Sequence, residues 1–462
     1  MQGGRFLTGS TMGHVVRMTA TGAMGITFVF LVDAAGLLWI SQLGEPALVA
    51  AIGFAFAVQF FSVSIAVGLM IAATALISRS IGQGARALAR RQAGASVVIA
   101  VLIQLVVATL VILARHELVG FAGATGETAR LSARYLAITM PSLVLMAVAL
   151  TCSGALRAEG LGAQSMYVTL YSGLVLMVLD PLLILWLGLG LDGAAIGLFV
   201  FRICLVALAL HYAVRRNNLV AAPNLADLRA VFVPFMAIAT PAIANQMSTP
   251  AGNYLMTIVM APFGDDAVAA WAVVGRLTVV VFGGIFALSG AIGGIFGQNF
   301  GAGQLDRVRS TYRDALIFCA IYTLVAWGLV ASALPVITDI FGLSGQGRAV
   351  LQAFCYIGVG GFVFVGGLFV SNAAFNNLGK PARSTLVNWL KDGASWPAAL
   401  ALATLFGAPG VIYGQTLAGA VMGVIAAIWG WIYVNRLQAA DLRTLDPPPP
   451  RPYPNPDRYR RR

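Results

Sequence analysis

The chain has 462 residues, of which 59% are hydrophobic and only 10% are charged, and its formal net charge is +12. Soluble proteins carry about 25% charged residues, so this composition excludes a soluble enzyme, a disordered chain and a disulfide scaffold. The basic residues lie in short segments between apolar runs and in a C-terminal tail. Because they form no folded basic surface, nucleic acid is excluded as a partner and the charges indicate membrane topology.

Apolar runs follow one another along the chain in two sets of six, separated by a polar stretch. About 20 apolar residues cross a bilayer, and a segment in lipid must satisfy its own backbone hydrogen bonds, which favours helices. We therefore expect an all-α integral membrane protein with twelve transmembrane helices. The runs are 14–40, 47–77, 93–114, 132–156, 165–188 and 193–214, then 231–262, 267–297, 315–338, 349–375, 385–406 and 409–434.

The two sets of runs repeat each other. "SIGQGARALAR" at 80–90 aligns with "NFGAGQLDRVR" at 299–309, and "SGALRAEGLGAQS" at 153–165 aligns with "NAAFNNLGKPARS" at 372–384 at the same offset. Repeats of six spans are parallel, and such folds place a substrate cavity at the repeat interface. We predict an N-terminal six-helix bundle at 1–216, a cytoplasmic linker at 217–230, a C-terminal six-helix bundle at 231–435 and a disordered, basic, Pro-rich cytoplasmic tail at 436–462.

The loop charges predict the orientation. With the N-terminus in the cytoplasm, the cytoplasmic loops and the tail hold most of the basic residues. Cytoplasmic loops are typically enriched in Lys and Arg. We expect both termini to be cytoplasmic and the protein to lie in the cytoplasmic membrane of a prokaryote. The outer loops hold Arg115, Arg130, Arg134 and Arg348.

Ionisable residues inside predicted spans indicate a functional site, because charge in lipid is costly and tends to face a cavity. Asp33 in "FLVDAAG" and Asp180 in "MVLDPLL" are such residues. Two carboxyl groups in one six-helix half predict an ion-coupling site that exchanges H⁺ or binds Na⁺. The alternative is a structural role, with Arg202 in helix 6 as the partner of Asp180.

The second half differs in its ionisable groups. The repeat alignment puts Asn253 opposite Asp33 and no acid opposite Asp180. Lys391 and Asp392 are adjacent in helix 11, and neighbours in a helix point to different faces, so we expect a snorkelling lysine and a separately paired acid. Arg276 in helix 8 remains open to a structural or a functional interpretation.

Helix 7 is the candidate wall of the substrate cavity. It carries Pro234, Pro241 and Pro250, and proline kinks a helix and frees a carbonyl, so these kinks line the cavity or are packing bends. Residues 245, 249 and 253 recur every four positions and therefore share a face. The candidate cavity residues are Asn245, Gln246, Thr249, Asn253 and Arg202.

The sequence contains no constellation typical of an enzyme. It has no Walker A motif, since "NLGKPARS" lacks the upstream glycine, and no metal-binding or catalytic Cys/His spacing. We expect no enzymatic activity, no cofactor and no metal, and any transport must draw on an ion gradient.

Several segments resemble those of the multidrug and toxic compound extrusion (MATE) family. They are "GQNFGAG" at 297–303, "ALRAEG" at 155–160, "LVDAAGLLWISQLG" at 31–44 and "LDPLLI" at 179–184. The resemblance covers about 14–435. It implies two six-helix bundles around a V-shaped central cavity, with export of cationic or amphiphilic compounds in exchange for H⁺ or Na⁺. Asp33 and Asp180 match acids that prokaryotic members use in coupling. The family motif, expected to be structural, comprises Gly297, Gln298, Asn299, Gly301 and Gly303.

Three positions depart from the family pattern. Leu176 stands where one branch has Asn, Leu198 where it often has Thr, and Thr249 where another branch has an acid. Because hard cations need several oxygen ligands, these losses favour H⁺ coupling over Na⁺.

The sequence thus predicts a secondary active antiporter for small organic cations or amphiphiles, embedded in membrane lipid and acting as a monomer. A lipid-linked precursor flippase of the same wider superfamily is an alternative, and would need arginines such as Arg202 and Arg276 in its cavity. A non-transporting scaffold or sensor that uses its tail is another, and would lose function on removal of residues 440–462.

Overall fold

The computed structural model describes residues 4–341 and 343–438, so the predicted tail lies outside the described residues from position 439 onward. Within that part, twelve long helices form the molecule, and no residue is in a β-strand. A short helix, Arg115–Phe121, lies between the third and fourth of them.

The helices are named α1 to α12 in chain order. In the first half they are Thr11–Ser41, Ala47–Gly82, Arg86–Leu113, Gly126–Glu159, Gly162–Trp186 and Gly190–Arg216. In the second half they are Leu225–Phe263, Asp266–Gly301, Leu305–Phe341, Gly345–Asn377, Pro381–Phe406 and Ala408–Arg436. Among the described residues eleven are long and apolar enough to cross a membrane. The remaining helix, α11, has 26 residues, about 39 Å of helix, but carries Lys391 and Asp392.

Helix α7 starts earlier than its apolar run. Asn224 caps it, because its side chain accepts from the backbone N–H of Asp227 while the Asp227 carboxylate accepts from the N–H of Asn224. The helix therefore begins at Leu225, inside the stretch 217–230 that the sequence assigned to a linker. The first turn of the helix is polar, so the apolar run does not include it.

The repeat is visible in the turns. Gly84 and Gly303 have φ of +74° and +72°, and Gly160 and Gly379 have φ of +87° and +96°. Each pair belongs to the segments that align in sequence. Their backbone bonds match too, since Ala85 N–H donates to Ser80 O and Gln304 N–H to Asn299 O. All four turns lie at the end of the bundle where α1 begins and α2 ends, called here the basic end.

The two halves pack through α1 and α2 of the first and α7 and α8 of the second. A Cβ built on Gly22 of α1 would lie 3.0 Å from the Ala287 side chain of α8, and one on Gly283 would lie 3.1 Å from Thr27. Beyond these contacts, toward the opposite end, polar side chains are exposed on the same helices. The halves therefore diverge from the basic end and leave a central cleft.

The segment before α1 closes the basic end. The Arg307 guanidinium at the start of α9 donates to the carbonyls of Phe6, Thr8 and Gly9. Thr11, the first residue of α1, donates a short hydrogen bond to the buried Asp314 carboxylate of α9. Residues 4–11 are thus held by the second half.

Candidate ion-coupling and substrate site

A buried arginine organises the polar interior of the first half. Arg202 of α6 is 3% exposed, and its Nη1 donates to Thr139 O and to Ser142 Oγ, both at 2.8 Å. Thr139 and Ser142 lie on either side of Pro141, in a tight turn of α4 at Met140–Ser142. In this turn the Leu143 N–H donates to the carbonyls of Met140 and Pro141 and not to that of Thr139. The turn therefore leaves the Thr139 carbonyl without its helical partner, and this carbonyl accepts from both Arg202 Nη1 and Ser142 Oγ.

Gln59 of α2 completes this arrangement. Its amide Nε2 donates to Thr139 Oγ1 at 2.6 Å, and its Oε1 lies 3.5 Å from Nη2 of Arg202. Sequence reasoning missed Gln59, Thr139 and Ser142. Pro141 inside an apolar run was the available signal, because a proline there frees backbone groups that a polar side chain must satisfy.

Asp180 lies at the point where α5 changes its winding. It precedes Pro181, and the next turn, Leu182–Trp186, is a π-helix. The side chain is 6% exposed and fits between two glycines. A Cβ on Gly197 of α6 would lie 2.4 Å from Oδ1, and one on Gly36 of α1 would lie 3.1 Å from Oδ2.

Asp180 has no hydrogen-bonding partner for Oδ1 among the described residues. Arg202 forms no ion pair with it, because its guanidinium is held by α4 and Gln59. The alternative in which Arg202 permanently pairs with Asp180 is therefore wrong. A buried carboxyl oxygen without a partner is costly, and a proton or a cation bound to this group would lower that cost.

Asp33 lies on α1 beside this carboxyl group. It is exposed and forms no hydrogen bond or ion pair with another described residue. It lines a small crevice between α1, α5 and α6. Asp33, Asp180, Arg202 and Tyr135 of α4 lie near enough for their charges to act on one another. The two predicted coupling acids are thus brought into one electrostatic cluster.

The candidate cavity residues fall into different environments. Asn245 is buried, with no partner for Oδ1 among the described residues, and Gln246 is half-buried, whereas Thr249 and Asn253 are exposed. Only the latter two therefore lie at the surface of the described residues. Arg202 is buried in the first half and does not line the open cleft.

The proline-rich helix α7 is bound to α11 through its carbonyls. Thr385 Oγ1 donates to Pro241 O at 2.7 Å, and Trp389 Nε1 donates to Ala244 O at 2.9 Å. This supports the interpretation of these kinks as packing bends on that side of α7.

The GQNFGAG segment lies where α8 crosses α2 at the basic end. A Cβ on Gly297 would lie 1.8 Å from Ser78 Oγ, and one on Gly301 would lie 2.2 Å from the Arg79 carbonyl. Gln298 is fully buried; its Oε1 accepts from Phe6 N–H and its Nε2 donates to Ala158 O. These contacts join both halves and the segment before α1.

Two residues of the same segment shape its turn. Asn299 Oδ1 accepts from Nε of Arg307 at 3.0 Å, which connects the end of α8 to the start of α9. Gly303 adopts the positive φ of the turn. The contacts of the segment are those of packing and turn geometry, and its structural role stays a prediction.

Lys391 and Asp392 pair with each other, with Nζ 2.6 Å from Oδ1. The expectation of a separately paired acid is therefore wrong. Both charges gain from this pairing in a medium of low dielectric constant.

The fold and this polar interior define a multi-pass membrane protein of twelve helices in two six-helix repeats. The MatE family model matches residues 23–182 and 241–391. The chain therefore belongs to the MatE family, a family of membrane transporters, and the family and fold class predicted from the sequence are confirmed.

Two relatives and one structure illustrate the similarity. The chain is 24% identical over 389 residues to a FAD transporter of Shewanella oneidensis, covering 83% of this chain and 86% of that one. It is 22% identical over 339 residues to multidrug export protein MepA of Staphylococcus haemolyticus, covering 72% and 74%. A mutant of the Vibrio cholerae MATE transporter VcmN superposes with a TM-score of 0.87 at 22% identity, covering 93% and 98%.

Proposed function

We propose that this protein is a secondary antiporter that exports cationic or amphiphilic compounds across the cytoplasmic membrane in exchange for H⁺, or for Na⁺. The observation that carries the proposal is the buried Asp180 carboxyl group, which has an oxygen without a partner and lies next to Asp33. The relative named a multidrug export protein supports the direction and the kind of cargo. In this scheme the protein acts as a monomer with both termini in the cytoplasm.

The coupling works through a shared equilibrium between two conformations. With the basic end in the cytoplasm, the contacts of the GQNFGAG segment close the inner side of the cleft in this structure. From the outer side, H⁺ reaches Asp33 through the cleft and passes to Asp180. Neutralising these acids removes negative charge from the cleft and lowers its affinity for a cationic compound. Proton and cargo then favour different conformations.

Arg202 holds the cluster without neutralising it. Its donors are directed at α4 and Gln59, so its positive charge acts on Asp33 from a fixed position. We propose that Arg202 keeps the two acids able to release the proton in the inward-facing state.

The test is transport in proteoliposomes with an imposed H⁺ or Na⁺ gradient and a fluorescent organic cation such as ethidium. Asp33→Asn and Asp180→Asn should each abolish gradient-driven accumulation, while Glu127→Gln is the matched control, because Glu127 is an exposed acid paired with Arg130 at the outer end. Equal rates for both Asn variants and the wild type would refute the coupling assignment. The gradient that drives accumulation in the wild type, H⁺ or Na⁺, identifies the coupling ion.

A second candidate cargo carries both an anionic group and an aromatic ring. The favouring observation is Arg276 of α8, which is exposed and makes no hydrogen bond or ion pair with another described residue. Continuing the pairing of Gly22 with Ala287 and of Thr27 with Gly283 puts Arg276 at about the depth of Asp33. An arginine at such depth faces water or protein rather than lipid.

One relative is named a FAD transporter, and FAD is an aromatic compound with phosphate groups. If this chain carries such a cargo, Arg276→Gln should weaken uptake of FAD into inverted vesicles and leave that of ethidium unchanged. Loss of both would indicate a structural role for Arg276.

A further inference from the structure

The second half contains a carboxyl site built like that of Asp180. Asp392 of α11 is 7% exposed and packs against a glycine of α7, since a Cβ on Gly252 would lie 2.7 Å from Oδ1. In the first half, Asp180 of α5 packs against Gly36 of α1. Helices α7 and α11 are the repeat counterparts of α1 and α5, so the same pair of helices holds an acid against a glycine in both halves.

The two sites differ in depth, which explains why the sequence alignment hid the second one. The offset of the matching turns, from Gly160 to Gly379, puts Ala399 opposite Asp180. Asp392 lies about two turns nearer the basic end. An alignment at the fixed offset therefore places no acid opposite Asp180, although Asp392 of α11 packs against α7.

The decisive difference is the partner of each acid. Asp180 has none for Oδ1, whereas Oδ1 of Asp392 is 2.6 Å from Nζ of Lys391. Lys391 is mostly buried, with a side chain 20% exposed. Oδ2 of Asp392 still has no hydrogen-bonding partner among the described residues, so the lysine satisfies only half of the carboxylate.

We propose that the Gly252–Asp392 contact is a site for a monovalent inorganic cation, H⁺ or Na⁺, and that the Lys391 ammonium fills it as a permanent internal cation. The carboxylate of the second half is then always neutralised by the lysine. The acids of the first half are neutralised only when they have bound a cation. The link to coupling rests on the proposed antiport; the site itself does not.

Other charges do not compete for this carboxylate. The helices packed against α11 are α7, α10 and α12. Their charged residues lie near the helix ends: Asp227, Arg229, Arg348 and Arg436. On α11 itself, Arg383 lies over the rings of Phe375, Trp429 and Tyr433 near its start. Lys391 is therefore the cation available to Asp392 within the described residues, and removing its charge leaves a buried anion that requires another cation.

The experiment compares full-length wild type with Lys391→Gln, Lys391→Arg and the double variant Lys391→Gln/Asp392→Asn, purified in detergent. The thermal unfolding midpoint is measured against Na⁺ at constant ionic strength, with N-methylglucamine as replacement, and separately against pH. A ligand that binds the native state raises the midpoint as its concentration rises. The double variant lacks both charges of this pair, so any change of its midpoint with Na⁺ or pH comes from other groups such as Asp33 and Asp180.

We expect Lys391→Gln to gain a cation-dependent rise of the midpoint that wild type, Lys391→Arg and the double variant lack. A response to Na⁺ at fixed pH identifies Na⁺, and a response to falling pH alone identifies H⁺. Equal responses of Lys391→Gln and the double variant would overturn the proposal, as would a gain in Lys391→Arg.

If Lys391→Gln does not fold, Lys391→Cys provides the same test after purification. Modification with an aminoethyl methanethiosulfonate restores an ammonium group, with identically treated wild type as control. The cation response should be present before modification and lost after it; a response that modification leaves unchanged contradicts the proposal. Because this readout requires no transport, a failure of the antiport scheme in proteoliposomes is distinguishable from a failure of this site.

Discussion

Gly301→Ala tests the close contact between the halves at the basic end. Gly301 of α8 lies against the backbone of α2, and an added Cβ would be 2.2 Å from the Arg79 carbonyl oxygen, whereas ordinary contacts begin at 3.4 Å. The two helices must therefore separate by roughly 1 Å. Because the clashing atom belongs to the backbone, no side-chain rotation relieves it. Overpacking of this kind costs about 1–3 kcal/mol.

The assay is the thermal unfolding midpoint in detergent, with Gly275→Ala as the matched control. Gly275 lies on the same helix, and an added Cβ there meets no atom within 4 Å. Alanine at an open helical position is favoured over glycine by about 0.5–1 kcal/mol. The midpoint should fall for Gly301→Ala and stay level or rise for Gly275→Ala.

A second variant pair locates the cause of the destabilisation. Gly297→Ala should also lower the midpoint, because its Cβ would be 1.8 Å from Ser78 Oγ, but here a side chain is the obstacle. Adding Ser78→Gly removes that obstacle and should recover part of the loss, whereas no such rescue exists for Gly301. If Gly301→Ala unfolds at the wild-type temperature, the helices are not in contact as described and the reasoning is refuted.

Three further substitutions have defined outcomes in the same assay. Gln298→Leu removes both hydrogen bonds of a buried side chain and leaves the partner groups unsatisfied, at a cost of about 1–3 kcal/mol per group. The midpoint should fall, and trypsin should cleave the segment before α1 faster. Arg202→Lys retains the positive charge but loses the guanidinium N–H groups that donate to α4, so the midpoint should fall. Tyr312→Phe removes a hydroxyl that lies 2.7 Å from Ser371 Oγ and donates to a carbonyl of α12, and the loss should be about 0.5–1.5 kcal/mol.

Controls for these three substitutions use exposed positions of the same kind. Gln42→Leu, Arg130→Lys and Tyr254→Phe change exposed side chains and should leave the midpoint near that of the wild type. A Gln298→Leu protein as stable and as protease-resistant as the wild type would contradict the assigned closure. An unchanged midpoint for Arg202→Lys would show that charge alone suffices. A large loss for Tyr254→Phe would show that the loss in Tyr312→Phe does not depend on burial of the hydroxyl.

The sequence predicts the membrane fold well, for physical reasons that the residues make plain. A spanning segment must be long, apolar and helical, so apolar runs locate the helices. Turns that need a positive φ favour glycine, so Gly84 and Gly303 preserve the repeat when other residues have diverged. Asp33 and Asp180 stand out in the sequence because charge inside a span is costly and tends to face a cavity, and their role in coupling stays a prediction.

Other features depend on side-chain directions that periodicity does not contain. Lys391 and Asp392 are neighbours in sequence and simple helix geometry separates them, but the long lysine side chain reaches the adjacent carboxylate. The partner of Arg202 is a carbonyl released by a tight turn at Pro141, not the acid that charge complementarity suggests. Such contacts require the relative rotation of packed helices, which depends on the whole bundle.

The segment at 4–11 has a consequence for biogenesis. Its partners Gln298, Arg307 and Asp314 come some 300 positions later in the chain, with separations of 292 to 303 residues for the bonds described. During synthesis the segment is made before these partners, so its hydrogen bonds can form only after α8 and α9 have been made. Until then the polar groups of this segment lack the partners that hold them in the finished fold. Completion of this closure therefore marks a late step of assembly.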